Sequence, residues 1–279
     1  MLVPNLSRPE DRLMKVVYGL HQLILEGTFR EFPVVGLVGD RVVHGKIDEL
    51  ERKPEANGTA SHAIYLSDCK TRGWPHLPPP RDTVSGRVQL MVYKELFDAL
   101  LVPSTMTGPK VETGHDAAEK DNADILPTSH TSVFDQIFEK FHLHPDAPFS
   151  SSCLRDYQRS IGSVLDEDLN PSRAKTLGDL VVLWDAYTAK LGLGQRDATH
   201  RVTSSPVLKI VYRGSKPMQG KPTGSIIGES RFTHNRLWLS EHLAWALDYW
   251  SGTRDPVGVG RATASTCDNC EFFQDCEWR

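Results

Sequence analysis

The fold is decided by two short segments, Gly45-Lys46-Ile47-Asp48-Glu49-Leu50 and Leu66-Ser67-Asp68-Cys69-Lys70-Thr71-Arg72. In a β-strand, side chains two residues apart lie on the same face. We therefore expect Asp68 and Lys70 to project together, while Cys69 points to the other side. If the two segments are neighbouring strands, Asp48 reaches the same place. The sequence thus predicts two carboxylates and an ammonium group at one edge of a sheet.

Short runs rich in β-forming residues surround these segments. Residues 34–38 and 42–47 are separated by Gly39-Asp40, a pair typical of a hairpin turn, and residues 63–70 form a third predicted strand. Residues 207–211 begin a further strand, and a turn rich in glycine and proline leads to a candidate partner near residues 225–228. Together these runs predict a central sheet.

The remaining pattern is helical. Apolar residues recur at helical spacing in residues 12–25, 88–102, 133–141 and 176–191, and Leu239, Leu243, Ala246 and Trp250 mark a last helix. Residues 103–127 lose this periodicity, which indicates an exposed insertion. The predicted fold class is α/β, with a mixed central sheet flanked by helices and a C-terminal cysteine-bearing segment. We expect a core in residues 1–102, a variable insertion in residues 103–130, and a helical part in residues 131–279 packed on the core as one domain.

The carboxylate and lysine pattern suggests a metal site. Asp48 and Asp68 would supply hard oxygen ligands for Mg²⁺, an ion that keeps several of its waters. Lys70 could orient an attacking water and neutralise charge that develops on a phosphate. The alternative is ordinary, because an Asp near a strand end often caps a turn and a D-x-K triplet is common by chance.

The helix that follows adds two polar candidates. Gln89 and Tyr93 are one helical turn apart and are expected to face the same way. They could contact a phosphate or a base, although core packing or exposure to solvent would explain them as well.

Three cysteines near the end of the chain form a second pattern. Cys267, Cys270 and Cys276 have C-x2-C-x5-C spacing, and thiolates in this arrangement favour an iron–sulfur cluster or zinc. A fourth ligand would have to come from elsewhere, and Cys153 is the only free candidate. A disulfide explanation is weaker because three is an odd number. Cys69 is expected to pack behind its strand.

Composition excludes few functions. The formal charge of −4 does not indicate a nucleic-acid partner, but a local basic groove can exist on an acidic protein. No apolar run reaches the ~20 residues that a bilayer requires. The first residues resemble neither a signal peptide nor a transit peptide, so the five cysteines fit a reducing compartment.

Taken together, these segments resemble the PD-(D/E)XK nucleases, and specifically the exonuclease V family. Further matching segments are Arg30-Glu31-Phe32-Pro33-Val34, Val88-Gln89-Leu90-Met91-Val92-Tyr93, Tyr249-Trp250-Ser251-Gly252-Thr253-Arg254 and Glu277-Trp278-Arg279. The resemblance implies a restriction-endonuclease-like core. It also implies cleavage of single-stranded DNA from its ends, dependent on Mg²⁺ (or Mn²⁺), in DNA repair or genome maintenance.

The resemblance assigns roles to individual residues. Asp48 matches the first metal carboxylate, Asp68 the acidic position of the E-x-K motif, and Lys70 the catalytic lysine. Gln89 and Tyr93 match the helix motif after the active-site strands. The three C-terminal cysteines match ligands of a [4Fe–4S] cluster, which implies a structural cluster.

One departure accompanies the resemblance. Family members begin with a segment that carries the first cluster cysteine and a helix with a His and a Glu, and this chain is expected to start after both. A truncated, weakly active or inactive DNA-binding homologue is therefore one alternative, and a zinc-binding interaction module is another. The resemblance further implies a mitochondrial or nuclear location, a monomer, single-stranded DNA as partner with a single-strand-binding protein beside it, and no membrane.

Overall fold

The computed structural model describes residues 9–54, 62–104, 126, 132–152, 155, 169–170, 173–195, 201–217, 220–260, 264, 267–268, 270–271 and 273–276. Its helices are α1 (Pro9–Glu26), α2 (Val84–Leu100), α3 (Val133–Lys140), α4 (Leu177–Lys190) and α5 (Arg236–Trp250). Its strands are β1 (Thr28–Val38), β2 (Arg41–Pro54), β3 (His62–Arg72), β4 (Gly194–Gln195), β5 (Arg201–Val202), β6 (Val207–Gly214) and β7 (Ile226–Thr233). A single 3₁₀ turn, Pro80–Thr83, precedes α2.

A five-stranded mixed sheet forms the centre of the fold. Its strand order is β1-β2-β3-β6-β7, and only the β3–β6 pair of this sheet is parallel. Strands β4 and β5 pair with each other in a separate two-stranded sheet. Helix α1 packs on β1 and on α4, while α2 contacts β1, β2, β3 and β6. The predicted α/β class with a mixed, helix-flanked sheet is confirmed.

The hairpin between β1 and β2 forms where the sequence predicts it. Val38 pairs with Arg41, and Gly39 takes a φ of 60° in the two-residue turn. The placement of Asp48 at the end of its strand is wrong, however. Strand β2 continues to Pro54, because its polar second half pairs with β3 from Glu49↔Ser67 to Pro54↔His62. Sequence pattern alone favoured a loop there, since few of these residues are apolar.

Aromatic side chains fill the core between the sheet and the helices. Phe32 of β1 meets Phe97 of α2 edge to face, with 5.6 Å between ring centroids. Trp184 of α4 contacts Phe97 and Phe134 of α3, at 6.5 and 5.9 Å. The indole N–H of Trp184 donates to the carbonyl oxygen of Leu100 at 2.7 Å. Each such aromatic pair contributes about 0.5–1.5 kcal/mol beyond its burial, so α2, α3 and α4 are held on one face of the sheet.

A buried polar network anchors the second half of α2. Lys94 donates to Asp98 Oδ2 at 2.6 Å and to Ser204 Oγ at 2.9 Å. The other oxygen of Asp98 accepts from the backbone N–H of Ser204 at 2.9 Å. Lys94 is only 5% exposed, and its charge is therefore compensated inside the fold. The network ties α2 to the segment that leads into β6.

The predicted helix start at Thr176 is confirmed. Thr176 and Asp179 form a capping box, in which each side chain accepts from the other residue's backbone N–H. At the end of α5, Gly252 takes a φ of 77°, as expected of a glycine that ends a helix. None of the described helices is both long and apolar enough to cross a membrane.

Residues group into two compact units, Met1–Leu239 and Ser240–Arg279. The first unit contains the sheet and all the predicted catalytic residues, and the second contains the three predicted cluster cysteines. The division into residues 1–102, 103–130 and 131–279 stays a prediction. Most of the predicted insertion lies outside the described residues, as does Cys153.

A buried carboxyl group gives the fold a pH dependence. Burial, and then the charge of Asp135, raise the pKa of Asp185 from 3.8 to about 6. Between pH 3.8 and about 6 the folded state holds a proton that the unfolded state has lost. The free energy of unfolding therefore falls as pH rises through this range. We expect Asp185→Asn to increase the free energy of unfolding by about 1–2 kcal/mol at pH 8, after allowance for partial exposure.

Urea unfolding at pH 8 and at pH 4.5 checks this expectation. At pH 4.5 the increase in the free energy of unfolding caused by Asp185→Asn should be less than half of its value at pH 8. Asp146→Asn removes a carboxylate that is 90% exposed and serves as the matched control. An equal gain at both pH values would contradict the assignment.

Candidate active site

The sheet divides at the two predicted aspartates. The β2–β3 ladder begins at Glu49↔Ser67, and the next pair in the same register would be Asp48 and Asp68. At this point β2 stays paired with β1, while β3 pairs with β6 from Ser67 onward. The backbone N–H of Cys69 donates to Asp48 Oδ2 at 2.6 Å. The Asp48 carboxylate thus takes the hydrogen bond that a carbonyl of β2 would accept if the ladder continued.

Asp68 is a buried carboxylate beside a second one. Its side chain is 4% exposed, and Lys70 Nζ lies 3.0 Å from Oδ2 and 3.3 Å from Oδ1. Burial raises the pKa of Asp68, the hydrogen bond and charge of Lys70 act against this, and Asp48 raises it again; the net change is upward. Continuation of the Glu49↔Ser67 register would place Asp48 and Asp68 at facing positions of β2 and β3. The positive charge of Lys70 does not fully compensate the burial of Asp68 and the neighbouring charge of Asp48.

A chain of hydrogen bonds connects Lys70 to α2. Lys70 Nζ donates to Gln89 Oε1 at 2.8 Å, and Gln89 Nε2 donates to the Tyr93 hydroxyl at 3.0 Å. Gln89 and Tyr93 therefore face the same way, toward the carboxylates. The structure brings all five predicted residues of the first unit into one site.

Two glycines allow α2 to lie this close to the sheet, and sequence analysis missed their role. A Cβ atom on Gly45 would lie 2.4 Å from the ring and hydroxyl of Tyr93. A Cβ on Gly86 would lie 3.3 Å from Ile210 Cδ1 and 3.7 Å from Lys70 Cε. A glycine inside a strand often marks a close approach of another element, and this signal was available at Gly45.

The donor atoms of this site fit a hard divalent cation. Asp68 Oδ2 is buried and accepts no hydrogen bond of good geometry, although Lys70 is near. Among the described residues, no group of three or more His, Cys, Asp or Glu side chains is arranged to hold a metal. Two carboxylates nevertheless suit Mg²⁺, which takes one or two protein ligands and fills its shell with waters and substrate phosphates.

The cysteine segment does not fit its predicted cluster in the same way. Cys267 and Cys276 are half-buried, Cys270 is exposed, and all three are free thiols. The Cys270 N–H donates to the Cys267 carbonyl at 3.0 Å, so the C-x2-C pair occupies one turn. Their side chains do not gather into a metal-holding group within the described part of the chain. The structure does not support the [4Fe–4S] cluster, and Cys69 is a half-buried free thiol on β3.

A sheet that divides at two facing carboxylates, with a lysine two residues further along and a Gln/Tyr helix beside it, is the architecture expected of a restriction-endonuclease-like protein. A family profile described as "Exonuclease V - a 5' deoxyribonuclease" matches residues 7–60 and 53–279. The chain belongs to the exonuclease V family. A nuclease family implies a divalent metal cofactor in general.

The chain is also similar to a protein of Danio rerio named "Exonuclease V". The two are 24% identical over 278 residues, which cover 98% of this chain and 55% of the relative. The chain therefore spans about half the length of the curated relative that it matches.

The close approach of Tyr93 to Gly45 makes Gly45→Ala a sensitive test of the geometry. The added methyl group would displace Tyr93, and we expect the free energy of unfolding to fall by about 1–3 kcal/mol. Tyr93→Leu in the same chain should recover at least half of the loss. Gly260→Ala, at a position with open space around it, is the control for urea unfolding. A loss no greater than the control's would contradict the packing described.

The metal fit can be tested without any measurement of activity. Mn²⁺ or Mg²⁺ that binds only the folded protein should raise its Tm by several degrees. Asp68→Asn should abolish this rise while leaving Tm in EDTA unchanged or higher, because burial disfavours the charged form of Asp68. Glu49→Gln removes a neighbouring carboxylate and should keep the rise, which differential scanning calorimetry would show. An undiminished rise in Asp68→Asn would refute the assignment.

Proposed function

We propose that this chain is an exonuclease that degrades single-stranded DNA, depends on Mg²⁺ or Mn²⁺, and serves DNA repair or genome maintenance. The observation that carries the proposal is the convergence of Asp48, Asp68 and Lys70 where β2 and β3 separate. Membership of the exonuclease V family supports DNA as the substrate. Single-stranded DNA and the repair role rest on the resemblance of the motifs.

Asp48 and Asp68 would hold the cation. Asp48 is oriented by the Cys69 N–H, which fixes one of its oxygens on β3. Asp68 is held by Lys70 and its side chain is only 4% exposed, and this burial strengthens its interaction with any added charge. When bound, a divalent cation supplies Lewis-acid stabilisation of the negative charge that develops on the phosphate during hydrolysis.

Lys70 would act on the phosphate and the attacking water. Its ammonium group has three donors, and among the described residues two of them are used, on Asp68 Oδ1 and Gln89 Oε1, with 38% of the side chain still exposed. A donor can therefore turn toward a phosphate oxygen or orient a water in line with the bond to be broken. Gln89, fixed by Tyr93, keeps the ammonium group at the mouth of the site.

Substitution of the site residues tests the proposal. We expect Asp48→Ala and Lys70→Ala each to reduce degradation of end-labelled single strands by at least ~100-fold, as for other groups that stabilise transition-state charge. Lys46→Ala is the control. Lys46 lies on β2, as Asp48 does, but its ammonium group pairs with Glu31 on the surface at 2.8 Å. Full activity in both site variants would disprove the mechanism. Binding of single strands without cleavage by the unaltered chain, in Mg²⁺ and in Mn²⁺, would favour a non-catalytic DNA-binding homologue instead.

A further inference from the structure

A groove lies beside the candidate active site, over strands β6 and β7. Its volume is about 360 Å³, within the range of about 300–1,000 Å³ typical of pockets for small ligands. Lining residues that matter here are Leu77, Pro80, Arg87, Tyr212, Ser230 and Phe232. A Cβ on Gly228 would lie 3.0 Å from Leu77 Cδ2, so the loop before α2 closes down on β7 and forms one wall.

The groove is continuous with the catalytic strand. Tyr212 of β6 pairs directly with Lys70 of β3 in parallel register, so their side chains are neighbours on one face. Burial raises the pKa of Tyr212, and the charges of Arg72, Asp68 and Lys70 all act on it. A chain segment with a phosphate at Lys70 would therefore place its neighbouring nucleotide over Tyr212.

Arg87 supplies an uncompensated positive charge in this groove. Its guanidinium group lies 4.9 Å from the ring centroid of Phe232 and 5.8 Å from that of Trp238. Its Nε is buried and has no hydrogen-bond partner. Within the described part of the chain Arg87 forms no ion pair with a carboxylate, whereas the neighbouring Arg231 pairs with Glu229 at 2.7 Å. Arg87 is half-buried, and a guanidinium group without a carboxylate partner can take a phosphate as its anion.

A second arginine repeats the pattern nearer to the site. Arg72, two residues after Lys70 on the same strand, lies 5.9 Å over the Tyr212 ring. Its Nε is also buried without a hydrogen-bond partner. Arg72 lies outside the groove lining and reaches the groove only through Tyr212. The lining itself combines apolar side chains, such as Leu77 and Phe232, with the charged Arg87, Glu229 and Arg231. A guanidinium group beside an aromatic ring suits a phosphate with an attached base.

We propose that this groove binds the nucleotide adjacent to the scissile phosphate of a single strand. Arg87 takes its phosphate, and its base lies against Phe232 and Leu77. That this phosphate is the one cleaved rests on the nuclease function proposed above, whereas binding of the nucleotide does not depend on it. The contact is to backbone and base face, and it therefore tolerates any base sequence.

Equilibrium binding of a fluorescein-labelled oligo-dT to the full chain, followed by anisotropy in EDTA, tests the groove without turnover. Arg87→Gln should weaken binding about 10-fold, and it should lower the slope of log K against log salt by about 0.7, since one phosphate contact is lost. Phe232→Leu should weaken binding at least ~3-fold with the slope unchanged, because only stacking is lost. Arg87→Lys should fall between wild type and Arg87→Gln.

Arg213→Gln is the matched control. Arg213 follows Tyr212 on β6 and carries the same charge as Arg87. It lies outside the groove lining and donates to the Gly224 carbonyl at 3.0 Å. Binding by this variant should change less than 2-fold. Thermal unfolding of each variant shows that it is folded. In Mg²⁺, Arg87→Gln should raise KM about 10-fold and leave kcat within about 3-fold.

The outcomes separate the two proposals. If Arg87→Gln binds oligo-dT as wild type does, or loses no more than Arg213→Gln, the groove assignment is overturned and the nuclease proposal stands. If wild type binds with the predicted losses but cleaves nothing in Mg²⁺ or Mn²⁺, the groove stands and the nuclease proposal fails. If wild type neither binds nor cleaves, both are overturned.

Discussion

The separation of β2 from β3 at Asp48 and Asp68 is the constraint on which the rest of the site depends. A continuous ladder would bring two carboxylates together as a cross-strand pair, which is unfavourable for like charges. Instead β3 turns to β6, and the Cys69 N–H left at the junction bonds to Asp48 at 2.6 Å. The sheet thus satisfies the Cys69 N–H at the point where it opens, and Asp48 and Asp68 lie at the junction without pairing in the ladder.

The helix above the sheet completes this arrangement. The Lys94–Asp98–Ser204 network and the aromatic core hold one end of α2, while Gly45 and Gly86 let the other end approach the strands. Gln89 can therefore reach Lys70, which in turn holds Asp68. Asp48, Asp68 and Lys70 would be ordinary charged groups if each stood alone. The packing of α2 against the strands holds them together as one site.

Local features of this fold could be predicted from sequence, and long-range pairings could not. Alternation along a strand placed Asp68 and Lys70 on one face, and Gly39-Asp40 and Thr176 marked a turn and a cap, because these depend on neighbours in the chain. The parallel pairing of Lys70 with Tyr212 and the contact of Arg87 with Phe232 join residues more than 140 positions apart, and no local pattern encodes them. The C-x2-C spacing predicted a gathered thiolate site that the described segment does not show.

The most direct test of the account is the position of a bound cation. Anomalous diffraction from crystals of the chain soaked in Mn²⁺ would locate it. We predict a peak within coordination distance of one oxygen from Asp48 and one from Asp68, with the Lys70 ammonium group beside it. A peak that contacts neither aspartate, or carboxyl groups that have moved too far apart to share one ion, would contradict the account.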